Sequence, residues 1–269
     1  MPPLMNQLVR YLPVLRLLNE GPAPILEVGC GAFGLAHWSA RSFVGCDRSF
    51  ADYADARPEV GGPMRPVRAD VCRLPFRDEA FGAVLCMDTL EHLPPLLRED
   101  AMRELCRVAR TRLILAFPWG EGISVWDRRL ANRLRRRGRT VPAWLSEHLE
   151  VDPPDPSRVA EDLRRLGFEV SRHDGAACAA HYFLMRAEGK RHLGRALNQV
   201  SARLSDALSG RARSRIDAIV ARALMAIHPV ASRVTSSRRA YRTYFIAERQ
   251  AALGHPRAQE DRPGRAASL

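Results

Sequence analysis

Lysine is nearly absent from this chain: of 42 basic residues only Lys190 is a lysine, so the net charge of +12 and the isoelectric point near 10.4 are carried by arginine. A strongly basic chain ordinarily points to nucleic acid or an acidic membrane surface. An arginine skew arises as readily from a GC-rich genome as from phosphate contacts, so the total charge assigns no partner. Long apolar runs are missing too. No stretch reaches the roughly 18 uninterrupted apolar residues of a membrane span, and no charged segment leads into a long apolar core at the N-terminus, which predicts a cytoplasmic protein. The six cysteines include no CxxC pair. Cys30, Cys46, Cys72 and Cys86 fall at or near strand positions, as reduced packing residues do, which argues against a disulfide framework. Neither HxxxH nor a His/Cys cluster with metal spacing occurs, so no metal is expected.

What is present is enough apolar material, 46% of 269 residues, for one large α/β domain with an appendage. Leu8, Leu12, Leu15 and Leu18 share one helical face, predicting an amphipathic helix over Leu4 to Leu18 that covers the sheet edge or the cofactor mouth. Short apolar runs then alternate with helical patterns. Strands are expected at Ile25 to Val28, Ser42 to Cys46, Pro66 to Ala69, Gly82 to Met87 and Arg112 to Phe117. Helices are expected near Phe33 to Ala40, from Phe50 toward Ala56 and over Pro95 to Arg110. This alternation predicts a doubly wound, mostly parallel sheet. Beyond Pro118 come a basic helix around Trp126 to Arg137, a segment at Val141 to Glu150 and a proline cluster, read together as a lid or substrate region over 119–156. Ser157 is expected to cap a helix that Gly167 ends, and Phe168 to Ser171 to be a sixth strand.

The turn Gly29-Cys30-Gly31-Ala-Phe-Gly34 follows the first strand with GxGxxG spacing. Glycine lets a backbone turn tightly and meet a bound cofactor without a Cβ between them. Asp47 ends the second strand, where a carboxylate can accept both ribose hydroxyls. These residues alone leave a nicotinamide dinucleotide and S-adenosylmethionine both open.

Two further segments narrow the choice: Arg68-Ala-Asp70-Val71-Cys-Arg-Leu-Pro-Phe76, and Phe81-Gly-Ala-Val-Leu-Cys-Met-Asp88-Thr89-Leu-Glu-His92-Leu-Pro94. With the glycine turn and Asp47 they resemble, in order and over Pro22 to Pro118, the class I S-adenosylmethionine-dependent methyltransferases of the type 11 group. The resemblance implies a Rossmann-like seven-stranded sheet whose last two strands pair antiparallel, here Phe168 to Ser171 and Arg242 to Ala247, with a helical insertion before the last. It implies that Glu27, Gly29 and Gly31 border the methionine end of S-adenosylmethionine, with Cys30 and Gly34 of the same turn also binding the cofactor. Asp47 and Arg48 would lie at the ribose, Asp70 and Val71 at the adenine, and the backbone of Asp88 and Thr89 beside the sulfonium. Phe33 stands where the family usually has a glycine. The resulting division is a methyltransferase domain over 1–250, with a cofactor half at 20–120 and an insertion at 186–238, then a disordered tail at 251–269.

Within that resemblance the expected activity is O-methylation of a small molecule, a sugar or a lipid-linked saccharide. His92 and His148 are the candidate bases, histidine being the side-chain type suited to proton transfer near neutral pH. His92 could equally hold the loop after strand four, and His148 beside Glu147 could be a surface residue. From Arg186 onward there are 17 basic against 6 acidic residues, and two arginine-faced amphipathic patterns over 191–227 allow peripheral contact with an acidic membrane. Arg128 to Arg139 forms a second basic run able to hold an anionic acceptor. Few aromatics interleave with it, which argues against nucleic acid. A nicotinamide-dependent oxidoreductase or epimerase is opposed by the lack of a Tyr-x-x-x-Lys pair. A non-catalytic RNA- or membrane-docking protein on the same fold stays open.

Overall fold

The apolar runs become strands of one sheet: β1 Ile25–Val28, β2 Phe43–Asp47, β3 Met64–Arg68, β4 Phe81–Met87, β5 Ala109–Pro118, β6 Phe168–Ala177 and β7 Ala240–Arg249. Their spatial order is β3-β2-β1-β4-β5-β7-β6. The computed structural model describes residues 5–31, 34–50, 64–120, 123–188, 190–210, 214–220, 223 and 240–250. The first five strands are parallel, and β7 pairs antiparallel with both β5 and β6. Every residue of β1 and β4 is buried, as expected for parallel strands covered on both faces.

Helices supply the covers: α1 Met5–Asn19, α2 Arg98–Val108, α3 Ile123–Arg136, α4 Ala143–Glu150, α5 Pro156–Arg165, α6 Cys178–Glu188 and α7 Arg191–Leu208. Successive side chains of a strand face opposite sides. Leu113, Leu115 and Phe117 of β5 therefore pack with Leu105 of α2 and Leu163 of α5, while Ile114 and Ala116 pack with Leu8 and Leu15 of α1 and Leu204 of α7. Truncating one such leucine to alanine costs about 2–5 kcal/mol.

Because β7 runs against β5, its first residues arrive at the C-terminal ends of the parallel strands. Arg242 lies opposite both Pro118 and Gly175. The chain thus delivers a residue from its far end to the edge where parallel sheets bind ligands.

Several boundaries differ from expectation. The helix predicted from Phe33 to Ala40 is one 3-10 turn, Leu35–His37. The consecutive residues Leu35 to Trp38 are all buried, so no exposed helical face exists. Ser157 is not the cap of α5. Asp155 is, accepting from the Ser157 amide at 2.9 Å with Pro156 at the first helical position. Strand β6 runs on to Ala177, paired along β7, and the insertion begins at Cys178, ahead of the expected residue 186. The second amphipathic pattern is helical over 215–220, but Ile216 and Ile219 are exposed there. Apart from Ala223, the rest of that pattern, the segment from Ala51 toward Ala56 and the tail from Ala251 lie outside the described residues. Cys30, Cys46, Cys72, Cys86 and Cys106 are free thiols. No described helix is long and apolar enough to cross a membrane.

Candidate functional site

Strand order reverses between β1 and β4, and the crevice beyond their C-terminal ends is where an open α/β sheet binds ligands. The turn after β1 is anchored to β2: Gly29 and Cys30 donate their amides to the Cys46 carbonyl at 2.8 and 3.3 Å. Gly29 has a φ of +72°, and a Cβ there would meet Thr89 Oγ1 at 2.0 Å. Only glycine fits between the two loops. Gly31, at a φ of +48°, has open space where a Cβ would stand.

The Gly31 amide donates to Asp47 Oδ2 at 2.8 Å and the Ser49 amide to Oδ1 at 3.1 Å, fixing the carboxylate at the end of β2. It lines a cavity of about 250 Å³ whose walls include Val28, Arg48, Val71, Thr89 and Leu93. A second cavity, of about 330 Å³, shares Gly29, Asp88 and His92 with the first and adds Arg10 and Tyr11 of α1, Cys30, and Tyr241 of β7.

Three of the predicted cofactor residues stand behind these walls. Glu27 is buried in β1, accepting from the Tyr11 hydroxyl at 2.7 Å and from the Leu35 amide at 2.8 Å. Burial raises its carboxyl to about 7, against the pull of those hydrogen bonds. Gly34 keeps that contact open, since a Cβ there would sit 2.5 Å from Glu27 Oε2. Asp70 accepts from the Cys72 amide at 2.9 Å and lies 3.7 Å from Arg48 Nε, closing a turn outside the first cavity.

Between the cavities Asp88 takes a φ of +48°, a conformation uncommon outside glycine. Its carboxylate meets Arg242 through both oxygens, Nε donating at 2.7 Å, and Arg10 Nε at 2.9 Å. Burial alone would raise this carboxyl, but Arg10 and Arg242 hold it at about 2. His181 stacks on Tyr241 with ring centroids 3.7 Å apart. Burial, reinforced by Arg242, lowers it to about 3, so it is neutral at physiological pH.

His92 and His148 come together, although 55 residues separate His92 from its own partner Glu147. Their rings stack with centroids 5.5 Å apart. His92 Nδ1 lies 2.6 Å from Glu147 Oε2, and His148 Nδ1 lies 3.2 Å from Asp127 Oδ2. Asp127 is wholly buried and also accepts from the Tyr182 hydroxyl. Beside the pair, burial and then the charge of Asp88 push the Glu91 carboxyl well above its ordinary range. The sequence reading expected no metal. Glu91, His92 and His148 nevertheless each offer a ligand atom, all within 4.8 Å of one another.

A third cavity, of about 540 Å³, opens between α3 and α6 and shares Met185 with the second. Trp126, Leu130 and Tyr182 give it an apolar wall, and Arg129, Arg133, Arg137, Arg139, Arg186 and Lys190 surround it, with no carboxylate among the described lining residues. The repulsion of Arg137 and Arg186 lowers the pKa of Arg133. Sequence reasoning missed Arg10, His181, Tyr241 and Arg242. A signal existed for the last, a charge inside the aromatic strand Tyr241-Arg-Thr-Tyr-Phe245.

Residues 26–117 match the sequence model of the methyltransferase domain family. Squalene methyltransferase 1 of Botryococcus braunii is 34% identical over 70 residues, 26% of this chain and 18% of that one. A methyltransferase-like protein of Encephalitozoon cuniculi is 36% identical over 103 residues, 36% of this chain and 45% of its own. The chain thus spans less than half the length of either relative. Among solved structures, the [4+2]-cyclase SpnF aligns over 91% of this chain and 80% of its own at 18% identity with a TM-score of 0.50. Magnesium protoporphyrin IX methyltransferase of Synechocystis PCC 6803, with bound S-adenosylhomocysteine, aligns over 91% and 83% at 15% identity with a TM-score of 0.48.

Proposed function

We propose that this chain, whose residues 26–117 are a class I S-adenosylmethionine-dependent methyltransferase domain, methylates an oxygen of a phosphate-bearing, lipid-linked saccharide. The observation that carries the acceptor class is the basic, apolar-walled cavity meeting the second cavity at Met185. A saccharide alone would need no such wall of arginines, and a neutral lipid would leave them unanswered.

The residues present fit the cofactor. Each oxygen of Asp47 accepts one backbone amide and keeps a lone pair for a ribose hydroxyl. Val71 and Leu93 offer apolar flanks for the adenine. Arg10, its side chain 27% exposed at the second cavity, is placed for the amino-acid carboxylate. When bound, S-adenosylmethionine supplies a methyl carbon on a positively charged sulfur, which leaves with the bonding pair as the acceptor oxygen attacks. Positioning is the chain's main contribution to rate in such a displacement. Asp88, locked by Arg10 and Arg242, fixes the loop after β4. His92 and His148 stand at the cavity where the acceptor hydroxyl enters, each oriented by its own carboxylate. Peripheral membrane contact through 191–227 belongs to the same reading, since Leu193 and Val200 of α7 are exposed.

Calorimetric titration with S-adenosylhomocysteine, followed by transfer of labelled methyl to lipid-linked and to free saccharides, tests both parts. Micromolar cofactor binding lost in Asp47→Ala, with label entering the lipid-linked acceptor, is the expected result. Labelling of free saccharide alone would remove the acceptor class. Absence of cofactor binding by folded protein would turn the reading toward a docking protein on this fold. SpnF shows that the fold also serves chemistry named as a cyclisation.

A further inference from the structure

Glu91 is buried at the transfer cavity with its side chain 4% exposed, and neither carboxylate oxygen has a hydrogen-bond partner. A buried carboxyl without a partner is costly to ionise, and a bound cation would answer that charge in place of a proton. None of the nearby arginines contacts it. Its neighbours are imidazoles instead: His92 Nε2 is 3.9 Å from Glu91 Oε1, and His148 reaches the same point from α4.

Both rings are held as metal-binding histidines are held. A carboxylate on Nδ1, Glu147 for His92 and Asp127 for His148, keeps the proton on that nitrogen and leaves Nε2 basic. Asp127 is in turn fixed by Tyr182, so the support extends to a second layer. Ligand atoms around a four-coordinate ion at about 2.0–2.2 Å lie roughly 3.3–3.6 Å apart. The observed spread of up to 4.8 Å needs only side-chain adjustment.

We propose that Glu91, His92 and His148 bind one first-row divalent cation, of the zinc or manganese kind, with an open coordination position toward the acceptor cavity. Two imidazoles and one carboxylate suit borderline zinc best, while manganese, a harder ion, accepts imidazole less readily and magnesium and calcium favour all-oxygen sites. At the open position an acceptor hydroxyl would replace water; that use, though not the binding itself, rests on the methyl-transfer reading.

The test uses untagged full-length protein freed of metal with a chelator, titrated by calorimetry with Zn2+ and with Mn2+, and separately with S-adenosylhomocysteine. One ion per chain at micromolar affinity or tighter is expected for at least one of the two. Glu91→Gln and His148→Ala should abolish that binding, and Glu147→Gln should weaken it about 10-fold or more, with a native far-ultraviolet circular dichroism spectrum and cooperative unfolding kept in all three as the check on folding. The visible spectrum of the Co2+-loaded protein should change in Glu147→Gln. Failure of the wild type to bind either ion, or unchanged binding in Glu91→Gln and His148→Ala, overturns the site. Metal binding without S-adenosylhomocysteine binding would support the site and sink the methyltransferase reading, so the two failures are distinct.

Discussion

The cofactor half and the acceptor half of this crevice are built by different means. At the first cavity the groups that set the shape are Gly29, backbone amides and the carboxylate of Asp47, drawn from β1 to β4 and the turns between them, with Asp88 shared with the second cavity. At the second and third cavities they are charged and aromatic side chains from α1, α3, α4, α6 and β7, joined in pairs such as Asp88 with Arg242 and Asp127 with His148. A backbone-built site tolerates side-chain change around it but not a shifted turn. A side-chain-built site can be retuned residue by residue, yet each buried charge depends on its partner.

That contrast can be broken most strongly at Arg242. Arg242→Met leaves Asp88 buried with Arg10 alone, and removing one partner of a buried ion pair costs about 3–5 kcal/mol. Denaturant unfolding should show this loss, and a loss under 1 kcal/mol would mean that the pair is not needed for folding. Next comes Asp47→Ala, expected to weaken S-adenosylhomocysteine at least 100-fold by calorimetry, from two lost charge-assisted hydrogen bonds at about 1.5–3 kcal/mol each.

The two halves also carry opposite pH dependence. Glu27, raised to about 7 in the fold from an ordinary 4.5, gives stability that is full below about 4.5 and gone once pH passes about 7. His181, lowered to about 3 from an ordinary 6.5, gives stability that is full above about 6.5 and lost as pH falls through about 3. Between about 4.5 and 6.5 the slopes oppose, each up to about 1.4 kcal/mol per pH unit. Unfolding free energies measured across that window should rise more steeply with pH in Glu27→Gln than in the wild type, and fall more steeply in His181→Gln. Parallel curves for all three would remove the assignment. The smallest effect is expected at the rim of the basic cavity. Arg133→Glu with Arg137→Glu should raise the KM for a phosphate-bearing lipid-linked acceptor about 10-fold while leaving S-adenosylhomocysteine binding unchanged, and the effect should fade at high salt.

The cofactor half was largely legible beforehand because its determinants are local. Apolar runs marked β1, β2, β4 and β5, and the glycine turn and Asp47 lie within 20 residues of each other. Leu35–His37 was misread because its apolar residues follow one another into the core and mimic a helical pattern. Glu27 could not be placed behind the wall without Tyr11, a residue of another element. The acceptor half hid its pairings for the same reason: Asp88 and Arg242 are 154 residues apart, and no local pattern ties His181 to Tyr241. His148 read as a surface candidate until α3 supplied Asp127 beneath it.

Strand β7 is made last but stands between two strands made earlier, carrying Arg242 to Asp88. During synthesis β5 and β6 leave the ribosome with a vacant lane between them, and the loop that carries Asp88 emerges after Arg10 but long before Arg242. The nucleotide turn can form early, but the centre of the crevice gains its second counter-charge only after Arg242 has emerged. Any nascent or proteolysed form ending before Ala240 lacks an interior strand, and would present two open sheet edges and an acid answered by Arg10 alone to the quality-control machinery of the cell.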